Sequence, residues 1–159
     1  MPIGIDVYIK EPVTGLLPIA YGDIRRFQVP DVERHGGWMA KRMAQAYPHL
    51  TERQVPGWLR GIVYMNEFLF LYQDHSVALA QAVRPDPFNA KIVVWERFVW
   101  AESPEYAPEA AEFYGRMKVW ALQQDADTIV VGEQTDVPPE MIKAKLGKLL
   151  ERKQLYARL

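Results

Sequence analysis

The chain has 159 residues, 49% of them apolar and 25% charged, with a formal net charge of -1 at pH 7. That length suits one domain over 1–159, and so even a charge balance excludes a general electrostatic pull towards nucleic acid or an anionic membrane. Cysteine is absent, which rules out disulfides, thiolate metal sites and cysteine nucleophiles and is compatible with a reducing cytoplasm.

No apolar run approaches the roughly 18 residues needed to cross a bilayer; the longest, 68–72, is strand-sized. Residues 1–10 carry Asp6 and Lys10 without a basic stretch leading into an apolar one, so no secretory leader is expected. The five Trp and eight Tyr are expected in the core, where each large ring buries much area.

Within 1–22, Pro2, Pro12, Gly15, Pro18 and Gly22 predict a strand and an irregular arm. Ile3, Ile5, Val7 and Ile9 alternate as a strand does, and a second short strand is expected over 23–29. A helix is predicted over 31–47, with Asp31 as its cap, Trp38, Met39, Arg42, Met43 and Ala46 at helical spacing, and Pro48 as its stop. Thr51 and Gln54 have the spacing of a capping box before a second helix, whose stripe is Val55, Trp58, Leu59 and Ile62. Pro56 falls in its first turn, where a missing N–H is tolerated.

From Glu67 the period changes to that of strands: 67–72 and 77–83 form a hairpin about a polar turn. Pro85, Asp86, Pro87 and Asn89 mark the next turn. The stretch 91–100 is apolar on both faces apart from Glu96 and Arg97, which predicts a central strand. Residues 103–108 turn into a helix reaching 124, with Phe113, Met117, Trp120 and Ala121 as its buried stripe. A β-branched strand follows at 128–131. Pro138 and Pro139 then open a helix that Gly147 stops, and 154–159 alternates as a last strand.

From 24 to 159 the order is strand, helix, helix, hairpin, long strand, helix, strand, helix, strand. This order resembles the GNAT superfamily of N-acetyltransferases. Locally, Ser103-Pro104-Glu105-Tyr106 is similar to the segment leading into the family's phosphate loop, and 121–131 to its long helix running into the next parallel strand. Residues 141–147, Met-Ile-Lys-Ala-Lys-Leu-Gly, resemble its C-terminal helix. The resemblance implies a mixed α/β fold: a central mixed sheet, splayed between two parallel strands, flanked by helices, with acetyl-CoA entering the splay. The stretch 136–147 is also similar to small GNAT-like proteins of tailed phages, which are virion-associated or directed at the host.

The family holds the pyrophosphate with an Arg/Gln-x-x-Gly-x-Gly/Ala loop at a helix N-terminus, where N–H groups and the dipole favour an anion. Laid after Tyr106, that pattern meets Ala107, Ala110 and Glu112, so the loop reads as eroded. Glu96, Glu102, Glu105, Glu109 and Glu112 stand in this region against Arg97 alone, and like charges near a pyrophosphate repel it. The candidate cofactor contacts that remain are Trp100 and the backbone N–H groups of Ala107, Ala110 and Ala111.

For a general base, the resemblance points first to Glu96, since a carboxylate inside a sheet has a raised pKa, and second to Glu133 at the end of a parallel strand. The plainer reading makes Glu96 and Arg97 charges on the two surfaces of the sheet. The family's tyrosine acid falls at Lys143, and Tyr156 lies too far along to replace it. His35, His49 and His75 are too dispersed for a metal site, and neither a nucleophile elbow nor a Walker loop occurs. Lys143, Lys145, Lys148, Arg152, Lys153 and Arg158 form a basic end that reads as a solvated helix face, with an acidic partner or nucleic acid as the sharper alternative. The expected function is a GNAT-like domain with a degenerate acetyl-CoA loop that acts by binding another protein, for instance a phage product modulating a bacterial host in its cytoplasm. The alternatives are an active acetyl-CoA-dependent N-acetyltransferase and a virion-associated structural protein.

Overall fold

The computed structural model describes residues 3–8, 24–85, 88, 91–126, 128–147 and 149–153, the first and last of these segments by their backbone alone. In chain order the elements are β1 (Ile3–Tyr8), β2 (Arg25–Arg26), α1 (Asp31–Ala46), α2 (Val55–Ile62), β3 (Phe68–Gln73), β4 (Ser76–Val83), β5 (Val93–Ala101), α3 (Ala107–Gln123), β6 (Thr128–Val131), α4 (Pro139–Leu146) and β7 (Leu149–Lys153). The fold is mixed α/β. Seven strands form one sheet in the order β2-β3-β4-β5-β6-β1-β7. All neighbours run antiparallel except β5 and β6, which are parallel. The central position predicted for the long strand is where β5 lies.

Each face of the sheet carries its own core. Helices α1 and α2 cover one face with Met39, Met43, Val55, Leu59 and Ile62 against Phe70, Leu79, Phe98 and Trp100. Helices α3 and α4 cover the other with Phe113, Tyr114, Met117, Ile142 and Leu146 against Val94, Val99 and Ile129. The predicted stripe of α3 is the buried one: Phe113, Met117 and Ala121 have no exposed surface. Burial of a large side chain of this kind contributes roughly 2–3 kcal/mol.

A bulge at the centre of β5 decides which side chain meets which core. Leu79 of β4 pairs with Phe98 but Ala80 pairs with Glu96, leaving Arg97 as the extra residue. Two residues opposing one shift the side-chain alternation by one position. Val94 before the bulge and Val99 and Ala101 after it therefore share the α3 face, while Phe98 and Trp100 face α1.

Several local expectations change. Asp31 is the first residue of α1, not its cap; its carboxylate instead accepts the Gln28 N–H at 2.7 Å and the Arg25 guanidinium through two bonds of 2.7 Å. Half of the expected capping box forms, the Thr51 N–H donating to Gln54 Oε1 at 3.0 Å, and α2 begins one residue beyond Gln54. The 1–22 arm contributes β1, which lies inside the sheet between β6 and β7. The final strand is 149–153, part of the stretch read as a solvated helix face; the 154–159 expectation and turn residues Asp86, Pro87 and Asn89 lie outside the described residues.

Candidate functional site

The parallel pair is continuous from Val94/Ile129 to Glu96/Val131 and then parts. Beyond Val131 the ladder is interrupted over 132–134 and resumes at Thr135, which bridges to Val99. There the Val99 N–H donates to Gln134 O and the Asp136 N–H to Val99 O, both at 2.9 Å. One step further the Ala101 N–H donates to Asp136 Oδ2 at 2.8 Å. The same carboxylate takes two hydrogen bonds from Arg42 of α1, whose guanidinium lies 4.8 Å from the Trp100 ring centre. Strand β5 thus spends its donors past the parting on its own chain.

Inside the parting sits Glu96, without exposed surface. Its Oε2 accepts the Gly132 N–H at 2.7 Å, and its Oε1 lies 3.5 Å from the Tyr114 hydroxyl of α3. Tyr114 in turn is 2.7 Å from the Thr135 hydroxyl, which accepts the Val137 N–H at 3.2 Å. One consistent direction runs through these groups: Val137 to Thr135, Thr135 to Tyr114, Tyr114 to Glu96. Glycine suits position 132, since a Cβ there would stand a tight 3.0 Å from Glu96 O. Burial pushes the Glu96 carboxyl up to about 8, against the lowering effect of the Gly132 and Tyr114 donors. The Tyr114 hydroxyl is raised well above its ordinary range, again chiefly by burial. At neutral pH Glu96 is a protonated carboxyl sealed in the core. It is therefore not the sheet-surface charge of the plainer sequence reading, because α3 covers that face.

The start of α3, where a phosphate loop was expected, is docked on the β3–β4 turn. Glu109 Oε2 accepts the Ser76 hydroxyl at 2.7 Å and the His75 N–H at 3.1 Å, and Glu109 O accepts Gln73 Nε2 at 2.8 Å. The Tyr106 ring stacks on His75 with centres 3.9 Å apart. Beside them Arg34 of α1 grips Glu102 through bonds of 2.9 and 2.8 Å, which holds that carboxylate down to about 2. Ala107 donates its N–H to Pro104 O, and Ala110 and Ala111 are buried in the core. Glu112 pairs with Lys145 of α4 at 2.7 Å.

The predicted site residues are thus only partly brought together. Ala107, Ala110 and Ala111 lie at one helix start, as expected. Trp100 belongs to the opposite face of the sheet, stacked on Phe98 at 4.3 Å. Glu133 is exposed and takes no part in the Glu96 cluster, and Lys143 is exposed on α4. No protein-family model matches the chain, and no curated protein matches it either.

Sequence reasoning missed Tyr114, Thr135 and the Arg42–Asp136 pair. Tyr114 carried a signal, since it continues the helical spacing of Ala110, Met117 and Ala121 and so had to face the core. His35 is a buried histidine with both nitrogens engaged: Nε2 lies 2.8 Å from Gln73 O, and Nδ1 accepts the Trp38 indole N–H at 3.0 Å. Burial lowers its pKa and keeps it neutral. Among the described residues no group of three His, Asp or Glu side chains is placed to hold a metal ion, and no helix is long and apolar enough to cross a membrane.

Proposed function

We propose that this chain is a GNAT-like domain whose cofactor cleft has been closed and which acts by binding a protein partner, in a cytoplasm that is the bacterial host's if a phage encodes it. The observation that carries this reading is the return of 134–136 to β5: the Val99 and Ala101 N–H groups past the parting donate to Gln134 O and the Asp136 carboxylate. A pantetheine-like chain entering between the strands would have to displace both. The start of α3 supports the same conclusion, because the Glu109 carboxylate occupies the neighbourhood that a pyrophosphate would need and is itself engaged by Ser76 and His75. Partner binding draws support from Tyr64 and Met65, 76% and 44% exposed at the α2–β3 connection, since adjoining exposed apolar side chains favour an interface.

Calorimetric titration with acetyl-CoA tests the reading. No saturable heat and no thermal shift at millimolar cofactor are expected; saturable binding in the micromolar range overturns it. One observation favours the second reading, an active N-acetyltransferase: a carboxyl near 8 has the basicity that a general base at neutral pH requires. Against it stands the complete burial of Glu96, which leaves an amine no route to the carboxyl in this conformation.

A further inference from the structure

The residue next to Glu96 faces a different environment. On the α1 face, beside the bulge at Arg97, lies a cavity of about 480 Å³ between the end of α1, α2 and strands β3 to β5. This volume lies within the range of roughly 300–1,000 Å³ common for small-molecule sites. Its walls are apolar, among them Met43, Leu50, Trp58, Phe68, Leu79 and Phe98.

Arg97 is the cation of this cavity. Its Nε and Nη2 both donate to Gln81 Oε1, at 2.9 and 2.7 Å, and its guanidinium stacks over the Trp95 ring at 4.8 Å. Gln81 passes its own amide N–H on to the exposed Glu67 at 3.2 Å, so an amide separates the cation from that carboxylate. Among the described residues no carboxylate contacts Arg97, and Nη1 makes no hydrogen bond. Guanidinium cannot shed its proton at physiological pH, so a half-buried one beside apolar walls is best satisfied by an anion. Its planar fork matches a carboxylate, which can take two parallel N–H bonds. Tyr47 completes the polar end, with its hydroxyl donating to Arg97 O at 3.3 Å.

We infer that this cavity is a binding site for an amphipathic monocarboxylate, with the carboxylate on Arg97 and the apolar body against Met43, Trp58, Leu79 and Phe98. A single charge is indicated because Arg97 is the one arginine or lysine among the described residues that line the cavity, with His49 exposed at its lining. Such a ligand comes from two sources, a free aliphatic acid or the C-terminal residue of a peptide. They share the same chemistry and are told apart by the probe.

Titration of the full chain with decanoate, decanol, and an N-acetylated tripeptide ending in leucine with a free or amidated C-terminus tests the site. Saturable binding of decanoate or the free-acid peptide is expected, with decanol and the amide at least roughly tenfold weaker, the usual worth of a charge-assisted hydrogen bond. Arg97→Gln is expected to weaken the bound acid by a similar factor. Whichever acid binds identifies the source. The inference is overturned if neither acid saturates at millimolar concentration, or if the uncharged analogues bind as tightly as the acids. Because the uncharged analogues are compared on the unaltered chain, this outcome does not depend on the folding of the variant.

Discussion

Glu96 and Arg97 are neighbours on one strand, yet the two sides of the sheet treat them in opposite ways. On the α3 side the carboxyl is fully enclosed, held by the Gly132 N–H and reached by the Tyr114 hydroxyl. On the α1 side the guanidinium is half-buried at a cavity, with an amide as its hydrogen-bond acceptor. The difference follows from acid–base chemistry. A carboxyl can answer burial by taking up a proton, and so can be sealed in. A guanidinium has no such recourse, so its surroundings must stay open to water or to an anion. One side of β5 is closed by its own chain, and the other is left ready for a ligand.

The sharpest way to break this contrast is Glu96→Gln. A folded pKa of about 8, raised from the ordinary 4.5, means that the folded chain binds the Glu96 proton more tightly than the unfolded one. Its contribution to stability is therefore full below about pH 4.5 and is lost progressively as pH rises to about 8. Glutamine keeps an acceptor for the Gly132 N–H without the ionisable proton. The variant should nearly match the parent near pH 4.5 and exceed it by about 4 kcal/mol at pH 8, read from urea unfolding at both pH values. A variant less stable than the parent at pH 8 would mean that the folded chain does not hold the Glu96 proton more tightly than the unfolded one. His35, whose lowered pKa works in the opposite sense by removing stability as pH falls below its ordinary 6.5, cancels in the comparison of variant with parent.

A smaller effect is expected from Asp136→Ala, which unfastens the returning segment. The Ala101 N–H then lacks its acceptor and Arg42 loses its partner. The Arg42 and Asp136 side chains are partly exposed, so the loss should be about 2 kcal/mol rather than the larger cost of a deeply buried pair. Amide hydrogen exchange at Val99 and Ala101 provides the local readout. Exchange unchanged by the substitution would show that the parting is closed by something other than this carboxylate.

How much of this was legible in the sequence varies with the range of the interaction. Periodicity is local, and it placed the α3 stripe, the hairpin, β6 and the stop at Gly147, whose φ of 89° suits glycine. The two-sided apolarity of 91–100 was enough to put β5 at the centre of the sheet. The bulge at Arg97 was not legible, because it exists only in the pairing of β5 with β4. Nor was Arg42–Asp136, two residues 94 positions apart with nothing local to link them. Glu96 shows the limit most clearly: its face could be assigned from alternation, but its burial depends on where α3 lies. The turn over 103–108 into a helix was legible, and α3 begins at Ala107, but the pairing of Glu112 with Lys145 of α4 was not.

The smallest expected effect completes the contrast. Arg97→Gln removes two hydrogen bonds to Gln81 and the stack on Trp95, but also relieves a cation whose pKa burial has lowered. These changes oppose each other, and the side chain is only half-buried. Stability should therefore shift by no more than about 0.5 kcal/mol, and by the same amount at pH 5, 7 and 9, since no group gains or loses a proton there on account of the change. Urea midpoints at the three pH values provide the measurement. A loss of about 2 kcal/mol or more would make Arg97 a structural anchor that the fold itself satisfies, and the case for an anion in the cavity would lose its footing. A neutral result leaves the guanidinium as a group that the fold tolerates without drawing stability from it, which is what a residue kept for binding should look like.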